Sequence, residues 1–316
     1  MADMHQAEIR RLASVEASLR RNYFDNYPSD YLESSWGKND LKNHLSVRLH
    51  EDRTRIVPWL YKLRALDGAS VLEIGCGTGS STVALAERGA LVTAIDIEPG
   101  SIAVARERCS AYELAASFHV ANAAQLPESI RQQHFDVIIF YASLEHMTIA
   151  ERLRAIELTW QMLPVDGLCC VIETPNRLWF SDWHTSQLPF FMWLPDDLAF
   201  RYSAFSSRPR FGEIYREQTE EAMLHFLRRG RGVSFHEFEI AIGPDVHQHI
   251  AGWLPPRRLN SSVRAALLTF FVENRYRRLL RVAAPAIHEA FRQPRLDFAV
   301  RKKHEQKEVG LTTLTS

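Results

Sequence analysis

What the chain lacks narrows its class first. Its 316 residues hold only four cysteines, Cys76, Cys109, Cys169 and Cys170, with no CxxC pair and no metal-ligand spacing. Structural zinc, any other bound metal and a disulfide framework are therefore not expected, and a reduced, cytoplasmic setting is. There is no excess of either charge: Lys plus Arg is 38, Asp plus Glu is 38, and the formal net charge is +0. A balanced chain does not advertise nucleic acid or an anionic membrane as partner. No apolar run approaches the ~20 residues of a membrane span. The opening "MADMHQAEIRRLASVEASLRR" is charged and helix-periodic, without an apolar signal core. Repeats and low-complexity tracts are also missing. What remains is a soluble chain, 46% hydrophobic, long enough for one large domain or a domain with an insertion.

From about residue 69 short apolar runs alternate with helical stretches. Strands are predicted at "SVLEI" (70–74), "LVTAIDI" (91–97), "SFHVA" (117–121), "FDVIIFY" (135–141) and "GLCCVIET" (167–174). Helices are predicted at 81–89, 101–109 and 148–163, the last stopped by Pro164. Apolar strands alternating with helices imply a mostly parallel sheet covered on both faces, and right-handed crossovers make it doubly wound. Ligands of such α/β sheets lie at the carboxyl ends of the strands. After residue 174 the rhythm breaks into an aromatic, proline-interrupted segment (175–205). Beyond it a helix is predicted at 219–230 with Thr219 as cap, a strand at "VSFHEFEIA" (233–241), helix over 261–281, a last strand at 295–303 and a frayed tail at 304–316.

"VLEIGCGTG", residues 71–79, carries the first chemical signal. A Gly-x-Gly-x-Gly turn removes side chains where backbone must touch a ligand, and the following helix presents unpaired N–H groups. Two further absences limit the ligand. The sixth position is Ser80, not the glycine of a nicotinamide fingerprint, and no Gly-Lys-Ser/Thr follows as in a phosphate loop. Glu73 beside the turn would repel a pyrophosphate and attract an ammonium. Asp96, ending the second strand, is placed to accept from two ribose hydroxyls. A ligand with a carboxylate, an ammonium and a ribose fits these features.

"VLEIGCGTG" followed by "VTAIDIEP" closely resembles the class I S-adenosylmethionine-dependent methyltransferases, over about residues 55–174 and weakly near 219–241 and 295–303. The resemblance implies a Rossmann-like sheet of seven strands, the last antiparallel and inserted beside its neighbour. It implies S-adenosylmethionine as cofactor, with Glu73 and the turn Gly75, Cys76, Gly77 and Gly79 at the methionine part. Asp96 would hold the ribose, Ile97 would lie beside the adenine, and Asn122 with Ala123 would face the adenine amino group, Asn standing where the family usually has an acid. In "YASLEHM" (141–147), Tyr141 and Ala142 would line the cofactor, and Glu145 and His146 would approach the reaction centre as catalytic candidates. The chain then divides into an N-terminal helical cap (1–55), a cofactor-binding core (56–174), an aromatic lid insertion (175–218), a C-terminal completion (219–303) and the tail.

Several residues have competing readings. Cys76 reads as a small buried filler rather than a nucleophile. His146 reads equally as a general base or as a cap for the helix starting near Thr148. His184 is a weaker base candidate, with a hydrogen-bonded structural role weighing more. His247 and His249 look like metal ligands by composition but lack a third partner, so a solvated loop is expected. Asn176, Trp179, Trp183 and His184 from the insertion, with Tyr23, Tyr27, Tyr31 and Trp36 from the cap, are candidates for the substrate pocket. The insertion reads both as a satellite core and as a lid excluding water. The leading functional expectation is methyl transfer to a small organic acceptor, with no nucleic-acid or membrane partner. Intramolecular cyclisation of the cofactor to azetidine-2-carboxylate with release of methylthioadenosine is the enzymatic alternative, and a non-catalytic cofactor-binding regulator is the third reading.

Overall fold

The alternation of strand and helix folds as a doubly wound α/β sheet. The computed structural model describes residues 2–208, 211, 219–255 and 263–303. Among these, the strands are β1 (Ser70–Ile74), β2 (Leu91–Asp96), β3 (Ser117–Val120), β4 (Val137–Tyr141), β5 (Leu168–Pro175), β6 (Ile250–Trp253) and β7 (Arg295–Arg301). They form one seven-stranded sheet in the order β3-β2-β1-β4-β5-β7-β6. β1 to β5 pair in parallel, and β7 is antiparallel to both β5 and β6.

The run "VIIFY" of β4 shows why the strands lack polar alternation. Val137, Ile139 and Tyr141 pack into one core and Ile138 and Phe140 into the other, because successive side chains point to opposite faces. Helices Ser80–Ala86 and Pro99–Ala111, with Leu49, Ile56 and Leu60 of the N-terminal segment, cover the first face. The helices Ile149–Met162 and Phe235–Ala241 cover the second.

Two expectations fail. Residues 233–241 are not a strand: Phe235–Ala241 is helical, with a capping box between Ser234 and Glu237. Phe235 and Phe238 are buried at the i, i+3 spacing of one helix face, so a period of three, not two, organises this aromatic run. The sixth strand is instead β6, which follows a short 3₁₀ helix at Val246–His249 where a solvated loop was expected. His247 there is partly buried, its Nε2 lying 2.8 Å from Glu239 Oε1. The expected helix over 261–281 runs as Val263–Ala283, residues 261 and 262 and the 304–316 tail lying outside the described residues. No helix among the described residues is long and apolar enough to cross a membrane.

The two halves of the second face are joined by Arg152, which is buried in the helix Ile149–Met162. Its guanidinium donates to Leu144 O at 2.7 Å, Arg231 O at 2.8 Å, Gly232 O at 3.2 Å and Glu145 O at 3.4 Å, and it pairs with Glu237 at 3.3 Å. Arg152→Met removes every one of these donors and leaves the Glu237 carboxylate without its cation. A loss of about 3–5 kcal/mol in unfolding free energy is expected by urea titration. A loss under about 1 kcal/mol would show that the network is dispensable.

Candidate active site

The turn between β1 and the helix Ser80–Ala86 has Gly75, Gly77 and Gly79 all at positive φ, 82°, 50° and 81°. Their surroundings differ. A Cβ on Gly75 would lie 2.6 Å from Tyr141 O, and one on Gly79 would lie 2.8 Å from Ala105 Cα, whereas at Gly77 it would meet nothing within 4 Å. Packing of the fold thus requires glycine at 75 and 79, while Gly77 faces open space that a ligand can occupy. Asp96 at the end of β2 fixes the turn: its Oδ2 accepts from Gly77 N at 2.8 Å and its Oδ1 from Glu98 N at 3.0 Å. Burial raises the Asp96 pKa, and the backbone donors of Glu98, Gly77 and Ile97 act against that rise. The carboxylate is half-buried and has lone pairs left for a ligand.

Glu73 takes a different place from the one expected. It is fully buried, and its carboxylate accepts from Ser81 Oγ and, at 2.6 Å, from Thr82 Oγ1. Alternation along β1 turns Glu73 to the same face as Val71, toward the helix, so it ties strand to helix and offers no open charge to an ammonium. Burial raises its pKa to about 7 against the lowering by the Ser81 and Thr82 hydroxyls. Cys76 is likewise internal. Its N–H donates to Ile95 O at 3.2 Å, its sulfur is buried, and burial pushes the thiol well above its ordinary range. The filler reading fits, and a ligand contact through this residue does not.

On the adenine side, Ile97 is exposed at the strand end. Asn122 Oδ1 accepts from Ala124 N at 2.9 Å, so the carbonyl expected to face an adenine caps its own turn, and Ala123 is buried in the core. Ala142 adopts φ 43° and donates its N–H to Ile172 O at 2.9 Å. Tyr141 is buried, and its hydroxyl donates to Asp52 Oδ1 at 2.7 Å.

That last bond leads to residues that the sequence reading passed over. From Ser35 to Leu63 the chain is helical almost throughout, with two five-residue π-helical stretches, Asn43–Val47 and Asp52–Ile56. Wider turns of this kind re-aim side chains and recur at functional sites. His44, Arg48 and Asp52 follow at intervals of four and share a face. His44 Nδ1 lies 3.1 Å from Thr78 Oγ1 in the glycine turn. Burial pushes the His44 pKa down to about 3, so the ring is neutral. Arg48 has no hydrogen-bond or ion-pair partner among the described residues. Arg48 is exposed on its helix; the crowding of its surroundings lowers its pKa, but the charge of Glu173 and the hydroxyls of Tyr141 and Tyr23 more than offset this and raise it. The spacing His-x3-Arg-x3-Asp was the available signal.

The catalytic candidates sit beyond β4. Glu145 and His146 occupy the 3₁₀ turn Leu144–His146, and His184 arrives from the insertion. His184 Nε2 is 3.5 Å and His146 Nε2 4.0 Å from Glu145 Oε1, and the two rings are 5.8 Å apart. Glu145 is fully buried. The helix-cap reading of His146 is excluded, because Thr148 and Glu151 form the capping box of the helix Ile149–Met162. His184 joins the same cluster, which sequence spacing could not show with 37 positions between it and His146.

A family model described as "Methyltransferase domain" matches residues 71–167, the stretch that carries β1 to β4 and the glycine turn. Over this stretch the chain matches a methyltransferase domain. Curated relatives include the ubiquinone biosynthesis O-methyltransferases of Pseudomonas paraeruginosa (strain DSM 24068 / PA7), 36% identical over 99 residues, and of Pseudomonas putida (strain GB-1), 35% identical over 99 residues. Each match takes up 31% of this chain and 42% of the relative, so the chain spans less than half the length of these proteins. Among solved structures, magnesium protoporphyrin IX methyltransferase from Synechocystis PCC 6803 is 17% identical, with 78% of this chain and 94% of that one covered and a TM-score of 0.47.

Around the methyltransferase domain, the remaining pocket candidates separate. Tyr23, Tyr27 and Tyr31 cluster with Phe24 and Val15, the Tyr23 ring 4.5 Å from His44 and the Tyr31 hydroxyl donating to Asp40 at 3.0 Å. Trp36 is exposed. Asn176 Nδ2 donates to Phe291 O and Gln293 O, both at 2.7 Å, and its Oδ1 accepts from Leu178 N, which makes it a brace of the chain beyond β5. Trp179 is buried against Phe180 and Tyr276, and Trp183 stands exposed. Phe191, Met192, Phe200, Phe211 and Phe226 form a separate small core. A depression of about 550 Å³ beside the start of β3, lined by Arg106, Cys109 and Phe118, shares none of the groups at the strand ends.

Asp52, in the helical segment that precedes the methyltransferase domain, has a testable pH dependence. Burial raises its carboxyl to about 8; the Tyr141 hydrogen bond lowers it, and the charges of Glu173 and Glu73 raise it. The folded state therefore holds this proton more tightly than the unfolded chain. Stability falls as pH rises from about 4, where the unfolded carboxyl ionises, to about 8, and levels beyond. Asp52→Asn still accepts from Tyr141 and cannot ionise. Its melting temperature should exceed that of the parent at pH 8, with the gap shrinking toward pH 5. Parallel pH profiles would rule out this role.

Proposed function

We propose that this protein transfers a methyl group from S-adenosylmethionine to a small organic acceptor. The observation that carries this reading is the glycine turn pinned by Asp96, in which Gly77 alone opens onto free space. Bound S-adenosylmethionine would supply an already activated sulfonium methyl, so the protein's work is alignment. Gly77 leaves room for the methionine backbone. Asp96, held toward the end of β2, would accept from the ribose hydroxyls. Arg48, a cation without a hydrogen-bond or ion-pair partner among the described residues, on the face shared with His44 and Asp52, suits the methionine carboxylate. Ile97 would cover the adenine.

For a hydroxyl acceptor, proton removal would fall to the group around His146 and Glu145 in the turn after β4. That the curated relatives are named for O-methylation supports a hydroxyl as the acceptor class.

Two measurements test this. Asp96→Ala should lower the affinity for S-adenosylhomocysteine at least tenfold by calorimetry, since charged hydrogen bonds are worth ~1.5–3 kcal/mol each. Unchanged affinity in a folded variant would remove Asp96 from the site. Separately, the protein incubated with S-adenosylmethionine should give little product until a phenolic or other hydroxyl acceptor is added, and then S-adenosylhomocysteine. Rapid release of methylthioadenosine from enzyme and cofactor alone would overturn methyl transfer in favour of cyclisation.

A further inference from the structure

The Glu145, His146 and His184 side chains meet in a way that hydrogen bonding does not explain. Glu145 Oε1 is fully buried and has no hydrogen-bond partner, while Oε2 accepts from Thr174 Oγ1 at 3.3 Å. Both imidazoles turn their Nε2 toward that orphaned oxygen, at 3.5 and 4.0 Å, too far for a hydrogen bond of ordinary length.

The outer partners fix the tautomers. His146 Nδ1 lies 2.8 Å from Arg228 O, and a carbonyl can only accept, so Nδ1 carries the proton and Nε2 the lone pair. His184 Nδ1 lies 3.2 Å from Thr185 Oγ1, whose single hydrogen is donated to Gly230 O at 3.0 Å. The hydroxyl must then accept from His184, and again Nε2 keeps its lone pair. Two nitrogen lone pairs and one carboxylate oxygen converge with no donor among them.

We propose that Glu145, His146 and His184 bind a divalent transition-metal ion of the zinc type. The three ligand atoms lie within 4.8 Å of one another. Tetrahedral ligands at about 2.0–2.1 Å stand roughly 3.3–3.4 Å apart, so the His184–Glu145 pair is nearly at that spacing and a small swing of the half-exposed His146 ring closes the set. Two imidazoles with one carboxylate form a borderline donor set that favours zinc, iron or cobalt over magnesium or calcium. Each ligand has the outer support such sites require: Arg228 O behind His146, Thr185 behind His184 and Thr174 behind Glu145. Asp182 builds the loop that delivers His184, its Oδ1 accepting from His184 N at 2.9 Å and Thr185 N at 2.8 Å. Three protein ligands leave a position open.

Use of the ion in the reaction rests on the methyl-transfer reading. Held at the end of β4, it would orient a hydroxyl acceptor and make its proton easier to lose, and His146 would serve as ligand rather than as base. Binding of the ion does not rest on that reading.

The full chain, stripped of metal with a chelator, is titrated with Zn²⁺ by calorimetry and with Co²⁺ by visible absorption. One equivalent is expected, with the intense d–d bands of low-symmetry cobalt. Glu145→Gln and His184→Ala should each weaken Co²⁺ binding at least about tenfold, and His249→Ala, outside the cluster, should leave it unchanged. Circular dichroism and S-adenosylhomocysteine affinity are recorded for every variant. No Co²⁺ or Zn²⁺ binding by a folded protein that still takes up S-adenosylhomocysteine would overturn the metal site and leave methyl transfer standing. Binding that persists in both Glu145→Gln and His184→Ala would also overturn it. One equivalent bound at this cluster without any affinity for S-adenosylhomocysteine would uphold the site and sink the methyl-transfer reading.

Discussion

Arg152 is the constraint on which the catalytic side of this molecule depends. A buried guanidinium must have its donors satisfied, and here they are satisfied almost wholly by main-chain carbonyls from two distant stretches, 144–145 and 231–232. That requirement sets where Glu145 stands. The same backbone at Glu145 accepts from Arg231 N at 2.9 Å, which brings Gly230 and with it Thr185 and His184 to the mouth of the sheet. A Cβ at Gly230 would come within 2.7 Å of Thr185 Oγ1, so the approach is close enough to demand a glycine there. One buried cation thereby fastens the insertion to the end of β4.

The cofactor side is organised on a different principle. There the sheet supplies strand ends in register, and each acidic group around them has a distinct environment. Asp96 is half-buried with backbone donors, Glu73 is sealed behind two hydroxyls, and Asp52 shares a hydrogen bond with Tyr141. Side-chain alternation and depth, not residue type, decide which of these carboxylates can meet a ligand.

Much of this was legible in the sequence. Strand ends at Ile74, Asp96 and Tyr141 were visible because fully buried parallel strands read as unbroken apolar runs, and the glycine turn because only glycine tolerates its φ values. Thr219 as a cap was visible for the same local reason. The failures have physical causes too. "VSFHEFEIA" has a strand-like composition but a helical period, and its capping box was the better signal. β6 is a four-residue strand that has no pattern of its own and exists because β7 offers it an edge. Glu73 was expected to face a ligand, and its side chain is turned into the interior. The π-helical stretches that turn His44 and Asp52 inward depend on packing against the sheet. The His-x3-Arg-x3-Asp spacing announces a shared face, but no local pattern announces the wider turns or the meeting of His184 with Glu145.

The position of β7 has a consequence for how the chain is made. β5 pairs Cys169 with Val300 and Val171 with Phe298, so one edge of its central hydrophobic ladder waits for a strand encoded some 130 residues later. At about 5–20 residues per second, that strand leaves the ribosome roughly ten seconds after β5 does. Through that interval Leu168, Cys169, Cys170, Val171 and Ile172 form an apolar, β-prone edge without a partner, the kind of surface on which nascent chains pair wrongly with one another. The antiparallel insertion that completes the sheet leaves β5 with one open edge until β7 has been made.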